Sequence, residues 1–253
     1  VPVVLAGKRC KVPVIIHESD MTPGLANKIA IPSAVKVCCN FPETLDSLPK
    51  GKAVLTGSPI RQELLSGNKI AAMDMCGFTA DKPVILVIGG SLGSVIVNNA
   101  VRKSLPRLLE KFQIIHLCGK GKTDDSLNDT KGYCQFEYIR DELRDIFALA
   151  DIVISRAGAN AICELLALRK PNLLIPLSAK ASRGDQILNA RSFERQGFSM
   201  VIEEEDLTED SLVSAVFDLY ENRGSYIDAM RNSDQQDSID TIISLIEEAA
   251  SGK

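Results

Sequence analysis

The sequence predicts an α/β protein built on parallel sheets. Three observations carry that prediction. Short apolar, β-branched runs alternate with longer amphipathic stretches along most of the chain. The run PVILVI (83–88) passes straight into the turn Gly89-Gly90-Ser91-Leu92-Gly93-Ser94 and then into a helix. The run DIVIS (151–155) does the same through Arg156-Ala157-Gly158-Ala159-Asn160. Successive strand–turn–helix units are joined by crossovers, and crossovers set neighbouring strands parallel.

Taken in order, VPVVLAGKRC (1–10) reads as the end of a helix entering the strand VPVIIH (12–17). A helix begun by Pro23-Gly24 follows at about 23–31, then the strands AVKVCC (34–39) and AVLTG (53–57). Residues 57–82 lack sustained periodicity and read as a connection with one short helix. From Pro83 onward strands are expected at 83–88, 112–118, 133–138, 151–155, 171–176 and 199–203, with helices between them, the pattern of a doubly wound sheet. Helices at about 208–222 and 235–250 close the chain, the first capped by Thr208 after the acidic turn 203–206. The expected division is 1–57, a connection over 58–82, and a domain over 83–253 whose last helix packs back on the first part.

Composition narrows the function. With 253 residues and 45% hydrophobic content the chain can bury a substantial core. A net charge of −4 argues against nucleic acid as a partner. No apolar run reaches the roughly 18 residues of a membrane span. Seven cysteines, an odd number set mostly in apolar segments, suggest reduced core thiols, and Cys38-Cys39 lacks the spacing of a metal site, so no metal or cofactor is expected.

The two turns carry the chemistry. Gly89, Gly90 and Gly93 permit close backbone approach, and Ser91 and Ser94 add hydroxyls at a helix start, where exposed N–H groups favour phosphate. No Gly-Lys-Ser/Thr closes this turn, so it is not a P-loop. The following strand ends in His116, Cys118 and Lys120 rather than the acidic residue of a dinucleotide site. At the second turn, Arg156, Gly158 and Ala159 open a helix on which Glu164 lies about two turns in. A carboxylate there can accept from both hydroxyls of a ribose or sugar diol, whereas most glutamates are solvated surface residues. Arg156 is either an interstrand anchor or a cleft residue. Arg61, after the Pro-set turn GSPIR, can pair with a diphosphate or stand on the surface. His116, in an apolar strand, reads as a satisfied core histidine. His17-Glu18 ends a strand, where either acid–base work or a structural hydrogen-bonded pair fits. Asp185 reads as a helix cap, and the Gln186 amide suits sugar hydroxyls.

GSPIR (57–61), GGSLGS with Asn98, the segment 155–164, RGDQILNA (183–190) and HESDMTPGLANK (17–28) together resemble the MurG family of glycosyltransferases. The resemblance covers nearly the whole chain. It implies the GT-B fold, two Rossmann-like domains facing across a cleft, with the N-terminal one incomplete here and a preceding segment expected. It implies inverting transfer of N-acetylglucosamine from UDP-N-acetylglucosamine to lipid I, giving lipid II for peptidoglycan, at the cytoplasmic face of the membrane. Membrane contact is expected through the preceding segment, and this chain alone is expected to bind donor without transferring sugar.

Residue by residue, the resemblance assigns donor contact to Arg61, Ser91, Asn98, Ile139, Arg156, Gly158, Ala159, Glu164 and Gln186. Ile139 would read the uracil edge, and Asp185 carries the donor role more weakly, because the family has Gln there. Asp20 and Asn27 fall on the acceptor side, with His17 and Glu18 supporting catalysis. Two other readings stand beside this one. One is a non-catalytic sugar-nucleotide-binding subunit of a split transferase; the other is a nicotinamide-binding oxidoreductase domain, suggested by the Gly-rich turn alone.

Overall fold

The computed structural model describes residues 1–90, 92–233 and 238–252. Ser91 and residues 234–237 and 253 lie outside the described residues, and so therefore does the expected role of Ser91. The chain divides into two compact units: 1–60 with 233–253, and 61–232.

The first unit opens with helix α1 (Pro2–Arg9), followed by β1 (Ile15–Glu18), α2 (Leu25–Ala30), β2 (Lys36–Cys39) and β3 (Ala53–Leu55). The strands form a parallel sheet in the order β1-β2-β3, with His17 opposite Cys38 and Glu18 opposite Cys39. Ile16, Ala34, Val37, Cys39 and Leu48 make its core. The C-terminal helix, Ser238–Ser251, belongs to this unit, where the Ser238 hydroxyl donates to Ser58 O at 2.8 Å.

The second unit contains α3 (Lys69–Cys76), β4 (Val84–Ile88), α4 (Val95–Leu108), β5 (Gln113–Leu117), β6 (Tyr133–Phe136), α5 (Leu143–Leu149), β7 (Ile152–Ser155), α6 (Ala159–Ala167), β8 (Asn172–Leu174), α7 (Asp185–Arg195), β9 (Ser199–Val201), α8 (Glu209–Glu221) and α9 (Arg223–Arg231). The last helix of the chain is thus α10. Six parallel strands run in the order β6-β5-β4-β7-β8-β9. The chain begins at the centre, winds outward to β6, then returns to the other side of β4. The strand order therefore reverses between β4 and β7, which pair directly, Ile88 opposite Ser155. Crevices at such reversals, beyond the carboxyl ends of the strands, are where open α/β sheets place ligands.

Local sequence explains the elements. The β4 run Val-Ile-Leu-Val-Ile is buried except at its last residue, because helices cover both faces of the sheet. Helix α4 is capped by Ser94, whose hydroxyl accepts from Val97 N at 3.3 Å. It buries Val97, Val101, Leu105 and Leu108, an i, i+4, i+8, i+11 stripe. Thr208 and Ser211 form a reciprocal capping box on α8. Phe112 meets Phe217 and Tyr220 edge-on at 5.4 and 5.2 Å, fastening α8 beneath the sheet.

Several expectations change. Residues 61–82 pack on the second unit: Asn68 N donates to Asp145 Oδ1 at 2.6 Å, and a Cβ on Gly67 would lie 2.0 Å from Arg144 O. The helix expected at 208–222 is followed directly by a second, α9, after a break at Asn222 (φ −95°, ψ 9°). Asp185 is not a cap. Gly184 takes the N-cap position at φ +81°, where glycine carries no Cβ penalty, and the Asp185 carboxylate pairs with Arg183 at 3.0 Å. All seven cysteines are free; Cys38, Cys39, Cys118 and Cys163 are buried, whereas Cys10 is exposed.

Candidate functional site

Because β4 and β7 are neighbours, the turns that follow them emerge side by side. Arg156 ties them together: its Nη2 donates to Ser94 Oγ at 2.6 Å, and its Nη1 donates to the carbonyls of Ile175 and Pro176 at 3.0 and 3.1 Å. The guanidinium also pairs with Glu204, and both side chains are about nine-tenths buried. Arg156 is therefore an interstrand anchor, both of its Nη groups being taken up by protein partners. Burial of so well-paired a charge is tolerated because four acceptors, one of them a carboxylate, surround its Nη groups.

Helix α6 starts at Gly158 (φ −66°, ψ 134°), and nothing lies within 4 Å of a Cβ built there. The approach to its N-terminal N–H groups is open, as anion binding at a helix start requires. Ala159 is buried just behind, and Ile162, Leu165 and Leu166 anchor the helix in the core. The burial periodicity leaves Glu164 on the opposite face, where its carboxylate is 21% exposed.

Glu164 lines a cleft of about 780 Å³ together with Arg61, Ile88, Gly90, Ile139 and Tyr138. That volume suits a nucleotide, since ligand sites commonly span about 300–1,000 Å³. Arg61 donates to Glu164 Oε1 from both Nε (3.2 Å) and Nη2 (3.0 Å). Ile139 is buried at the wall, whereas Tyr138 is 60% exposed and Arg140 stacks on its ring at 5.7 Å. Neighbouring Cys163 is held as the thiol, pushed up to about 12 by burial and then by the Glu164 charge, so it takes no part in chemistry near neutral pH.

Of the sequence-predicted donor residues, the cleft brings Arg61, Ile139 and Glu164 together on one wall, with Gly158 and Ala159 at the head of the helix that carries Glu164. Asn98 is elsewhere. It is buried, its Nδ2 donates to Cys118 O at 2.9 Å and its Oδ1 faces His116 Nε2 at 3.0 Å, so it braces a loop instead of offering an amide to a ligand. His116 is the satisfied core histidine: fully buried, with Nδ1 2.9 Å from the Tyr133 hydroxyl. Burial, with the Arg102 guanidinium nearby, lowers it to about 3 and keeps it neutral. Gln186 heads α7, and its Oε1 accepts from Leu177 N at 3.0 Å. Tyr138 and Arg140 escaped the sequence reading; the one available signal was their place just beyond β6, on the ligand end of the sheet.

In the first unit His17 and Glu18 end β1, Asp20 lies in the loop that follows, and Asn27 stands on α2. The Glu18 carboxylate accepts from Asp20 N (3.1 Å), Gly24 N (2.9 Å) and Asn27 Nδ2 (2.9 Å), and Asn27 Nδ2 also reaches His17 O (3.1 Å). Glu18 and Asn27 thus organise the loop, and His17 Nε2 stands 3.0 Å from Gly57 O.

Residues 84–245 match the glycosyltransferase family 28 C-terminal domain. The chain is 69% identical over 248 residues, 98% of its length and 70% of the relative's, to the UDP-N-acetylglucosamine–N-acetylmuramyl-(pentapeptide) pyrophosphoryl-undecaprenol N-acetylglucosamine transferase of Lachnospira eligens. It is 68% identical, with the same coverage, to the transferase of that name from Lachnoclostridium phytofermentans. Among solved structures it resembles Acinetobacter baumannii MurG, at a TM-score of 0.73 and 24% identity, over 98% of this chain and 70% of that one.

Proposed function

The chain belongs to the family of UDP-N-acetylglucosamine–N-acetylmuramyl-(pentapeptide) pyrophosphoryl-undecaprenol N-acetylglucosamine transferases, with the GT-B fold, and on that premise we propose that its cleft holds the uridine nucleotide of the sugar donor. The protein is a hexosyltransferase that moves N-acetylglucosamine from UDP-N-acetylglucosamine to lipid I, forming lipid II. The observation that carries the site assignment is Glu164 in the cleft wall, a little under two turns from the open N-terminus of its own helix at Gly158. A carboxylate for the ribose diol and helix N–H groups for the diphosphate stand at the spacing one rigid helix imposes. Ile139 supplies an apolar surface for the base.

Transfer has two electrostatic demands. The departing UDP gains negative charge as the glycosidic bond breaks, and helix N-termini oriented in advance stabilise it without rearrangement. The acceptor hydroxyl must lose a proton. His17 ends β1 with its imidazole beside Gly57 O, and Glu18 and Asn27 shape the backbone around it, which favours the supporting role assigned to His17 and Glu18. The lipid-linked acceptor supports a peripheral location at the cytoplasmic face of the membrane; among the described residues no helix is long and apolar enough to cross one.

The test is ligand selectivity. Titration calorimetry should give binding of UDP-N-acetylglucosamine and UDP and none of NADH, which separates this reading from an oxidoreductase domain. Equal binding of ADP and UDP would overturn the assignment of the base site. To test the transfer itself, this chain is grafted onto the part of the Lachnospira eligens relative that it does not cover, and labelled donor with a lipid I analogue should then give lipid II. A graft that binds donor and leaves the analogue unmodified would favour a binding subunit.

A further inference from the structure

The turn after β5, Cys118 to Lys122, lies between the glycine-rich turn, whose Gly90 lines the cleft, and Glu137, which lines it too. On one side it is moulded against the glycine-rich turn: a Cβ on Gly93 would lie 1.9 Å from Cys118 O, and one on Gly119 would lie 2.4 Å from Leu92 O. Lys122, half-buried, donates from Nζ to the carbonyls of both Leu92 and Gly93. On the other side Gly119 N donates to Glu137 O at 3.1 Å, and Gly121 N donates to Glu137 Oε1 at 2.7 Å. Glu137 begins the segment whose Tyr138 and Ile139 line the cleft. From beneath, Arg102 donates to Lys122 O and Asn98 donates to Cys118 O.

We propose that this turn is a gauge that fixes the distance between the base-binding and phosphate-binding halves of the nucleotide site, with Lys122 and Glu137 as its positioning residues. The inference rests on the uridine-nucleotide reading of the cleft. Its physical basis is peptide planarity: a carbonyl held in direction fixes the N–H on the opposite side of the same plane. By holding the Gly93 carbonyl, Lys122 aims the N–H of Ser94, the N-cap of α4, and by holding the Leu92 carbonyl it fixes the N–H of Gly93, which closes the turn onto Gly90 O at 3.0 Å. Glu137, through its main-chain and side-chain contacts, sets where the Ile139 wall stands relative to that N–H. A ligand spanning both halves feels the spacing, whereas a ligand that fills one half does not.

The experiment compares dissociation constants of uridine and UDP for the parent chain, Lys122→Met, Lys122→Arg and Glu137→Ala, at low salt and at ~1 M salt, where the Debye length is about 3 Å. In Lys122→Met the advantage of UDP over uridine is expected to fall about tenfold, the scale of one lost charge-assisted contact, with uridine binding and melting temperature unchanged. Lys122→Arg should restore most of it, and the loss should persist at high salt because it is geometric. Glu137→Ala should also reduce the UDP advantage. An unchanged UDP advantage in Lys122→Met, equal weakening of uridine and UDP, or disappearance of the effect at high salt would each overturn the gauge. A parent chain that does not prefer UDP to ADP instead overturns the nucleotide reading beneath it, before any variant is measured.

Discussion

Arg61 and Glu164, 103 positions apart in sequence, meet through two hydrogen bonds from one guanidinium to a single carboxylate oxygen, Oε1. Among the described residues no hydrogen bond reaches the second oxygen, as the proposed ribose contact requires. Arg61 is half exposed, so the pair adds little to stability, typically 0–1 kcal/mol for such surface pairs, and its value lies in holding the carboxylate in place. Replacing Glu164 with Gln removes the charge and one acceptor. UDP affinity should fall by roughly 1.5–3 kcal/mol with the melting temperature unchanged. If Glu164→Gln binds UDP like the parent, and 2′,3′-dideoxyuridine diphosphate binds like UDP, the ribose assignment is wrong.

The proposed stabilisation of the phosphates by the helix starts at Ser94 and Gly158 predicts binding without a divalent ion. Calorimetric titration of UDP with and without EDTA should give the same dissociation constant within about twofold, the scatter expected from buffer changes alone. A strong loss of affinity on adding EDTA would contradict the assignment of that work to backbone dipoles.

Gly93 has φ +65°, and its missing side chain faces Cys118 O. Gly93→Ala combines a left-handed backbone with a collision that backbone atoms cannot relieve by rotation. A destabilisation of about 2 kcal/mol or more is expected, together with loss of UDP binding. Gly90, also at positive φ (+82°) but with open space around it, isolates the first effect: Gly90→Ala should cost about 1 kcal/mol. Equal melting temperatures for the two variants would show that the contact between the turns does not exist in solution.

His116 makes stability depend on pH. Its folded-state value, about 3, lies below the roughly 6.5 of an unfolded histidine. Below pH 6.5 the unfolded chain therefore binds a proton that the folded chain refuses, so stability is full above that value and falls as the pH drops towards 3. The slope approaches about 1.4 kcal/mol per pH unit. Between pH 7 and pH 5 the parent should lose roughly 2 kcal/mol more than His116→Gln, measured by urea unfolding at each pH. Parallel losses in the two proteins would mean that His116 is not kept neutral in the folded state.

Much of the site was readable from sequence because its parts are local. A strand ending in small residues before a helix, as at 88–95 and 155–159, announces an open helix start wherever it occurs, and Glu164 follows on the same helix at a fixed rise. The partners of Arg156, Asn98 and Glu18 were not readable. A charged or amide side chain next to a cleft has the same sequence signature whether it reaches a ligand or braces a loop, and the difference lies in partners distant in sequence: Ser94 and Glu204 for Arg156, His116 and Cys118 for Asn98.

By itself the sequence determined the parallel α/β class, the placement of the strands and of most helices, and the two glycine-bearing turns, since periodicity and backbone permissiveness are properties of neighbouring residues. Tertiary structure alone decided that β4 and β7 are adjacent, so that the two turns share one crevice, and that Arg61 meets Glu164. It alone set the 118–122 turn against both the glycine-rich turn and Glu137 in the cleft wall. Those relationships come from strand order and from packing between segments dozens of residues apart. They are fixed by the burial of both sheet faces and the satisfaction of buried polar groups across the whole unit, which no local stretch of sequence can specify.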